Sequence, residues 1–187
     1  TGVSNSGYGI YLLNSPKNNT LRFNTGISNS STGIGIMLSS SDENILTYNT
    51  AFGNASVGIH LSFAANNNFT SNNGSSLSAN GFQIASSDNN ILISNRGVSN
   101  TSNGIYSDSE NNTLTSNIGI SNTSNGITFS VADNNNLTLN TGSSNSSIGI
   151  QLSSSDNNHL TSNIGISNAS EGISLGSSLN NTLRVNR

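Results

Sequence analysis

Apolar residues in this chain of 187 residues never form a long run. They alternate with polar residues over four to six positions and then give way to Asn, Ser and Gly. Alternation of that length is the period of a strand with one face buried, and no stretch carries the i, i+3, i+4 pattern of a helix. The alternating segments also recur. A Leu or Phe that follows an Asn by two positions occurs at Leu21, Leu46, Phe69, Leu92, Leu114, Leu137, Leu160 and Leu183, in steps of 25, 23, 23, 22, 23, 23 and 23. The preceding Asn forms one series (Asn19, Asn44, Asn67, Asn90, Asn112, Asn135, Asn158, Asn181). An Asn three residues after each Leu forms another (Asn24, Asn49, Asn72, Asn95, Asn117, Asn140, Asn163, Asn186). Gly-Ile or Gly-Phe pairs repeat at Gly9, Gly33 or Gly35, Gly58, Gly81, Gly104, Gly126, Gly149 and Gly172.

Each repeat therefore holds three short segments, as in Thr113-Leu114-Thr115, Gly119-Ile120-Ser121 and Gly149-Ile150-Gln151-Leu152. One repeat cannot bury its own apolar side, whereas coils stacked in parallel can. The expected fold is all-β: a parallel β-solenoid of about eight coils of about 23 residues, with three strands per coil. The predicted inward columns are the Leu series, Ile105/Ile127/Ile150/Ile173, and Ile120/Ile166 with Ile27, Phe52 and Val98. Asn, Gly and Ser are expected to take the tight corners; Gly adopts positive φ freely and Asn tolerates it. The two Asn series are expected to stack as amide ladders that also satisfy backbone groups of the turns.

Composition sharpens this picture. With 19 Gly, 39 Ser and 37 Asn make up about half the chain, a composition that alone would suggest disorder. The regular period instead places those residues at corners and ladders. Only 5 basic and 8 acidic residues are present, too few basic groups for a nucleic-acid footprint. No apolar run is long enough to span a membrane. The absence of Cys excludes disulfides and thiol chemistry. The period, the three strands per coil and the N-x-L-x-x-N corners resemble the NosD-like branch of the carbohydrate-binding and sugar-hydrolase β-helix superfamily. The resemblance is greatest to Asn- and Ser-rich repeat domains of archaeal surface proteins, and it runs from about Val3 to Asn186. It implies a right-handed parallel β-helix. The superfamily holds lyases, hydrolases, copper-loading proteins and structural repeats, so the fold does not choose an activity.

The candidate chemistry is sparse. Asp42, Asp88, Glu110, Asp133 and Asp156 share one register, two residues before the repeat Asn, with Ala65 interrupting the column. Asp88, Glu110, Asp133 and Asp156 fall on consecutive coils and are candidate Ca²⁺ ligands. Solvated turn acids are the competing reading, and no basic or aromatic partner shares their register as a glycosidase pair would want. His60 and His159 lie in different repeat positions, and Met37 is the single Met, which argues against copper handling. Tyr11 and Tyr106 lie on the outward strip Tyr11/Met37/His60/Gln83/Tyr106/Thr128/Gln151/Ser174 and are candidate glycan contacts. Twelve N-x-S/T sequons (Asn18, Asn29, Asn54, Asn68, Asn73, Asn100, Asn111, Asn122, Asn136, Asn145, Asn168, Asn180) are candidate N-glycosylation sites and point to an extracellular or cell-surface location. Uncapped parallel edges at the ends of residues 1–187 template further pairing. The expected partners are therefore copies of itself or flanking parts of a longer chain, together with surface polysaccharide. The expected function is that of a non-catalytic structural or adhesive module; the alternative is a carbohydrate-binding or polysaccharide-processing one.

Overall fold

The computed structural model describes residues 1–187 as 24 short strands and no helix. Every third strand pairs in parallel, giving three eight-stranded sheets that wind as a solenoid of eight coils. At the usual strand separation the eight coils stand about 38 Å tall. A middle coil passes through Ile118–Ser121 in the first sheet, Ile127–Ser130 in the second and Asn136–Thr138 in the third. Register is held by side-chain identity: Leu114 pairs with Leu137, Ile127 with Ile150, and Gly119 with Gly142.

The core is a single cluster of 20 buried side chains. The second sheet buries two residues per strand, as at Ile59 and Leu61, and the third buries the middle one, as at Leu92 or Leu137. The Leu and Ile105/Ile127/Ile150 columns are thus inward, although Leu183 in the last coil is half exposed.

The first sheet departs from expectation. Ile27, Phe52, Val98, Ile120 and Ile166 point outward, and the inward positions belong to Gly and Ser, with Ala51 and Gly53 in their places in the third coil. Space explains the inversion. A Cβ on Gly119 would stand 2.3 Å from the Gly126 carbonyl oxygen, and one on Gly104 would stand 2.2 Å from the Ile120 nitrogen. The two Gly columns let the first and second sheets meet backbone to backbone. An inward Ser ends seven of the eight first-sheet strands, Gly53 taking its place in the third coil, and fixes the arch between the sheets. Ser121 Oγ donates to the Ser102 carbonyl (2.6 Å) and accepts from the Ser124 N–H (2.9 Å).

At the corners Asn and Ser take the expected places and Gly does not. No Gly has positive φ, whereas 24 other residues do. The residue before each ladder Asn is left-handed, as at Asn111 (φ 57) before Asn112 and Ser116 (φ 56) before Asn117. The fifth coil is the short one, at 22 residues in the repeat step, and the missing residue lies between Ile105 and Asn112. Elsewhere the residue that opens this corner donates its N–H to a backbone carbonyl one coil on, as from Phe63 to Ala85 (3.1 Å) and from Val131 to Ser153 (2.9 Å). Opposite the short coil that carbonyl is missing, and Ser86 N–H donates to Asp108 Oδ1 at 2.8 Å instead. The carboxylate replaces the lost backbone acceptor.

Candidate functional site

The two Asn columns flank the third sheet and are almost wholly buried in the central coils. Asn117 shows the pattern. Its Oδ1 accepts from the Asn95 backbone N–H (2.8 Å) and from Asn95 Nδ2 (3.1 Å). Its Nδ2 donates to the Leu92 carbonyl (2.8 Å) and to Asn140 Oδ1 (3.0 Å). The bonds run from a backbone N–H on one coil to a side-chain oxygen on the next. The same link joins Asn19 to Asn44 and Asn158 to Asn181. In the short fifth coil, Asn112 Nδ2 is buried without a partner, because the carbonyls that its equivalents reach are displaced by the deletion.

The acidic column is also bound into the backbone. Asp42 Oδ1 accepts from Ala65 N–H, Asp88 from Glu110, Asp133 from Asp156 and Asp156 from Leu179, at 2.6 to 2.8 Å. No three His, Asp or Glu side chains come together as a metal site. The structure therefore does not gather Asp88, Glu110, Asp133 and Asp156 into the Ca²⁺ ligand set that their spacing suggested. One oxygen of each Asp instead caps the following coil.

The sequon residues follow the repeat as well. Asn100, Asn122, Asn145 and Asn168 are exposed and stacked, the Nδ2 of Asn122, Asn145 and Asn168 each donating to the Oδ1 one coil earlier (2.8 to 3.3 Å), and Asn29 bonds Asn5 in the same way. Asn54 shares this column. The sequon hydroxyls of Ser102, Ser124 and Ser147 donate inward to Asn80, Asn103 and Asn125. These three form a further amide column, visible in the sequence only as an Asn before the Gly of three consecutive repeats. Asn18, Asn111 and Asn180 are exposed left-handed corner residues. Asn136 is exposed, and Asn68 and Asn73 are half-buried at strand starts.

Two outward surfaces carry chemistry. The first is a groove of about 470 Å³ on the first sheet. Phe52, Val98 and Ile120 form its floor, and Asn100, Asn122 and Asn145 rise along its side. The second is the outward strip of the second sheet. Tyr11 stacks on Tyr8 with ring centroids 4.1 Å apart, and Tyr106 lies four coils away. The two candidate glycan contacts are therefore not brought together. Between them, Met37 and His60 are register partners on adjacent strands. Met37 is only 7% exposed and packs with Ile34, Val57 and Ala79. Neither ring nitrogen of His60 has a hydrogen-bond partner, and both are buried. Burial lowers its pKa to about 4, against a weaker upward pull from Asp108.

The family model described as periplasmic copper-binding protein (NosD) matches residues 1–96 and again 63–187. No curated protein and no solved structure matches the chain. Reduced copper takes thioether and imidazole donors. The place where this chain sets such donors on neighbouring strands is Met37 and His60, where the imidazole nitrogens are orphaned. His159 is paired with Asn136 and Thr182 in another sheet and has no sulfur neighbour.

Proposed function

We propose, for a chain that belongs to the NosD family of parallel β-helix repeat proteins, that it serves outside the cytoplasm as a stiff, non-catalytic structural rod of a surface layer. The observation that supports this reading is axial continuity. Three sheets and two buried amide columns run without interruption through all eight coils. Bending the rod would strain every column at once, because each coil holds its neighbours through backbone and side-chain bonds together. The exposed sequon column fits the same setting, since Asn100, Asn122, Asn145 and Asn168 are reachable by a glycosylating enzyme. Immunogold labelling of intact source cells, with mass spectrometry of the extracted protein, tests the proposal. Label on the envelope and glycan on at least one of those Asn residues support it. Label confined to the cytoplasm refutes it.

A second reading rests on the first-sheet groove. Its apolar floor and flanking amides suit one edge of an extended sugar chain, which offers CH faces and hydroxyls together. Glycan-array binding that is lost on substituting Val98 and Ile120 by Asp, with the fold retained, separates this reading from a purely structural one.

A further inference from the structure

Six of the twelve sequons fall in one column, at Asn29, Asn54, Asn100, Asn122, Asn145 and Asn168. From Asn100 to Asn168 this column is the wall of the first-sheet groove. The residue two positions before each Asn is an outward residue of the sheet: Ile27, Phe52, Val98, Ile120, Ser143 and Ile166. Residues two apart leave a strand on the same side. Five of the six column sequons therefore stand beside an apolar residue of the sheet face. The fold does not demand this pairing. In the fourth coil Leu77 and Ala79 replace the Asn and the hydroxyl residue, and Ser76 Oγ still accepts from the Ala79 N–H at 2.9 Å to close the arch. The outward sheet residue of that coil is Ser75. Sequon and apolar floor are absent there together. The stacked amides also leave an attachment point. Nδ2 of Asn122, Asn145 and Asn168 each donates one hydrogen along the column. A primary amide has two, so an N-linked sugar can replace the second while the column stays bonded.

We propose that the groove is filled by the chain's own sugar: the first residues of N-linked glycans on this column fold back over the apolar floor at Val98 and Ile120. The inference rests on the reading of these Asn residues as glycosylated, and adds where the glycan lies. A sugar ring has an apolar face of C–H groups and a rim of hydroxyls. The half-buried side chains of Phe52, Val98 and Ile120 match the face. Ser143 and the amide wall match the rim. Covering the floor removes apolar area from water. Tethering makes the contact intramolecular, so it forms without the translational cost that weakens the binding of a free sugar. The groove is then a covered face of a glycosylated rod and not an open receptor.

Glycopeptide mass spectrometry of the full chain from its source cells should find glycan on the wall column. Nuclear Overhauser contacts in that protein should join sugar ring protons to the Val98 and Ile120 methyl groups, a readout that needs no variant to fold. Variants produced in the same cells complete a cycle. Ile120→Thr should lower the folding constant about fivefold more in the glycosylated chain than in an Asn122→Gln background, which lacks that sugar. Glycan on the wall without those contacts, or an equal effect of Ile120→Thr in both backgrounds, overturns the proposal and leaves the glycosylated surface-layer reading standing. Bare wall residues overturn the proposal and remove the glycan support from that reading as well. An added oligosaccharide that binds the glycosylated chain through Val98 and Ile120 also overturns it, because the groove would then be open.

Discussion

Replacing Asn117 by Ala removes four hydrogen bonds from the centre of a buried column. The Asn95 backbone N–H then loses its acceptor in a fully buried position, which costs about 1–3 kcal/mol. Asn95 Nδ2 keeps its bond to the Phe69 carbonyl at 2.8 Å, and Asn140 Oδ1 keeps the one from Asn117 N–H at 2.8 Å. Each of the remaining lost bonds is worth about 1 kcal/mol net. The expected loss is about 4–6 kcal/mol, a large part of the roughly 5–15 kcal/mol that holds a domain folded. Asn122 supplies the control. It is the same residue type on an exposed column, with bonds of 3.2 and 3.3 Å in water. Asn122→Ala should cost no more than about 0.5 kcal/mol. Asn117→Asp should be worse than Ala at neutral pH, because it sets an oxygen against the Leu92 carbonyl and Asn140 Oδ1. Urea denaturation followed by circular dichroism gives the global values. Amide exchange around the fifth coil reads local opening, since a solenoid need not unfold in one step. If Asn117→Ala falls within about 1 kcal/mol of Asn122→Ala, the buried column does not hold the coils together as argued.

Three other outcomes are expected. Gly119→Ala sets a Cβ 2.3 Å from the Gly126 carbonyl, a contact that the fold relieves at Ala51 in the same register, so it should cost about 1–3 kcal/mol and leave the chain folded, as read by denaturation. Val131→Asn should stabilise by about 1 kcal/mol, since an exposed β-branched residue sits there at φ 55 and Asn tolerates that region; an unchanged melting temperature would contradict this. His60 is neutral when folded, with its pKa lowered to about 4 from 6.5, so the unfolded chain binds the extra proton first. Stability of the protein should therefore fall as pH drops from 6.5 to 4 and level off below, and His60→Gln should flatten that slope.

Much of the fold was legible because the repeat compares itself. A column such as Leu92/Leu114/Leu137 needs no homologue to reveal its period, and the buried Asn columns follow from the same arithmetic. The phase of the first sheet was not legible. Alternation gives a period of two but not which set faces inward, and apolar Ile120 was assigned to the core over Gly119. The deciding fact was how closely two backbones approach, and local sequence does not encode a distance between segments. The left-handed corners were hidden for a related reason. Beside the expected Asn and Ser, Phe, Tyr, Leu, Val and Glu occupy some of them, because the neighbouring ladder Asn enforces the turn and relaxes the demand on residue type. Asp108 could be read only as a stray acid until the short coil showed which acceptor it replaces. Met37 and His60 fell one repeat apart in the sequence, but their juxtaposition depends on which face each strand turns outward.

The Asn column has a direction, since a coil offers its N–H forward and receives its oxygen partner from the coil that follows in the chain. A newly wound coil is therefore incomplete until its successor arrives, and each arrival closes one loop of nearly constant length. Winding that starts at the amino-terminal side can keep pace with a chain emerging from a ribosome or a translocation pore, one rung at a time. Such a molecule need not be fully delivered before it begins to fold, and the part already delivered resists sliding back.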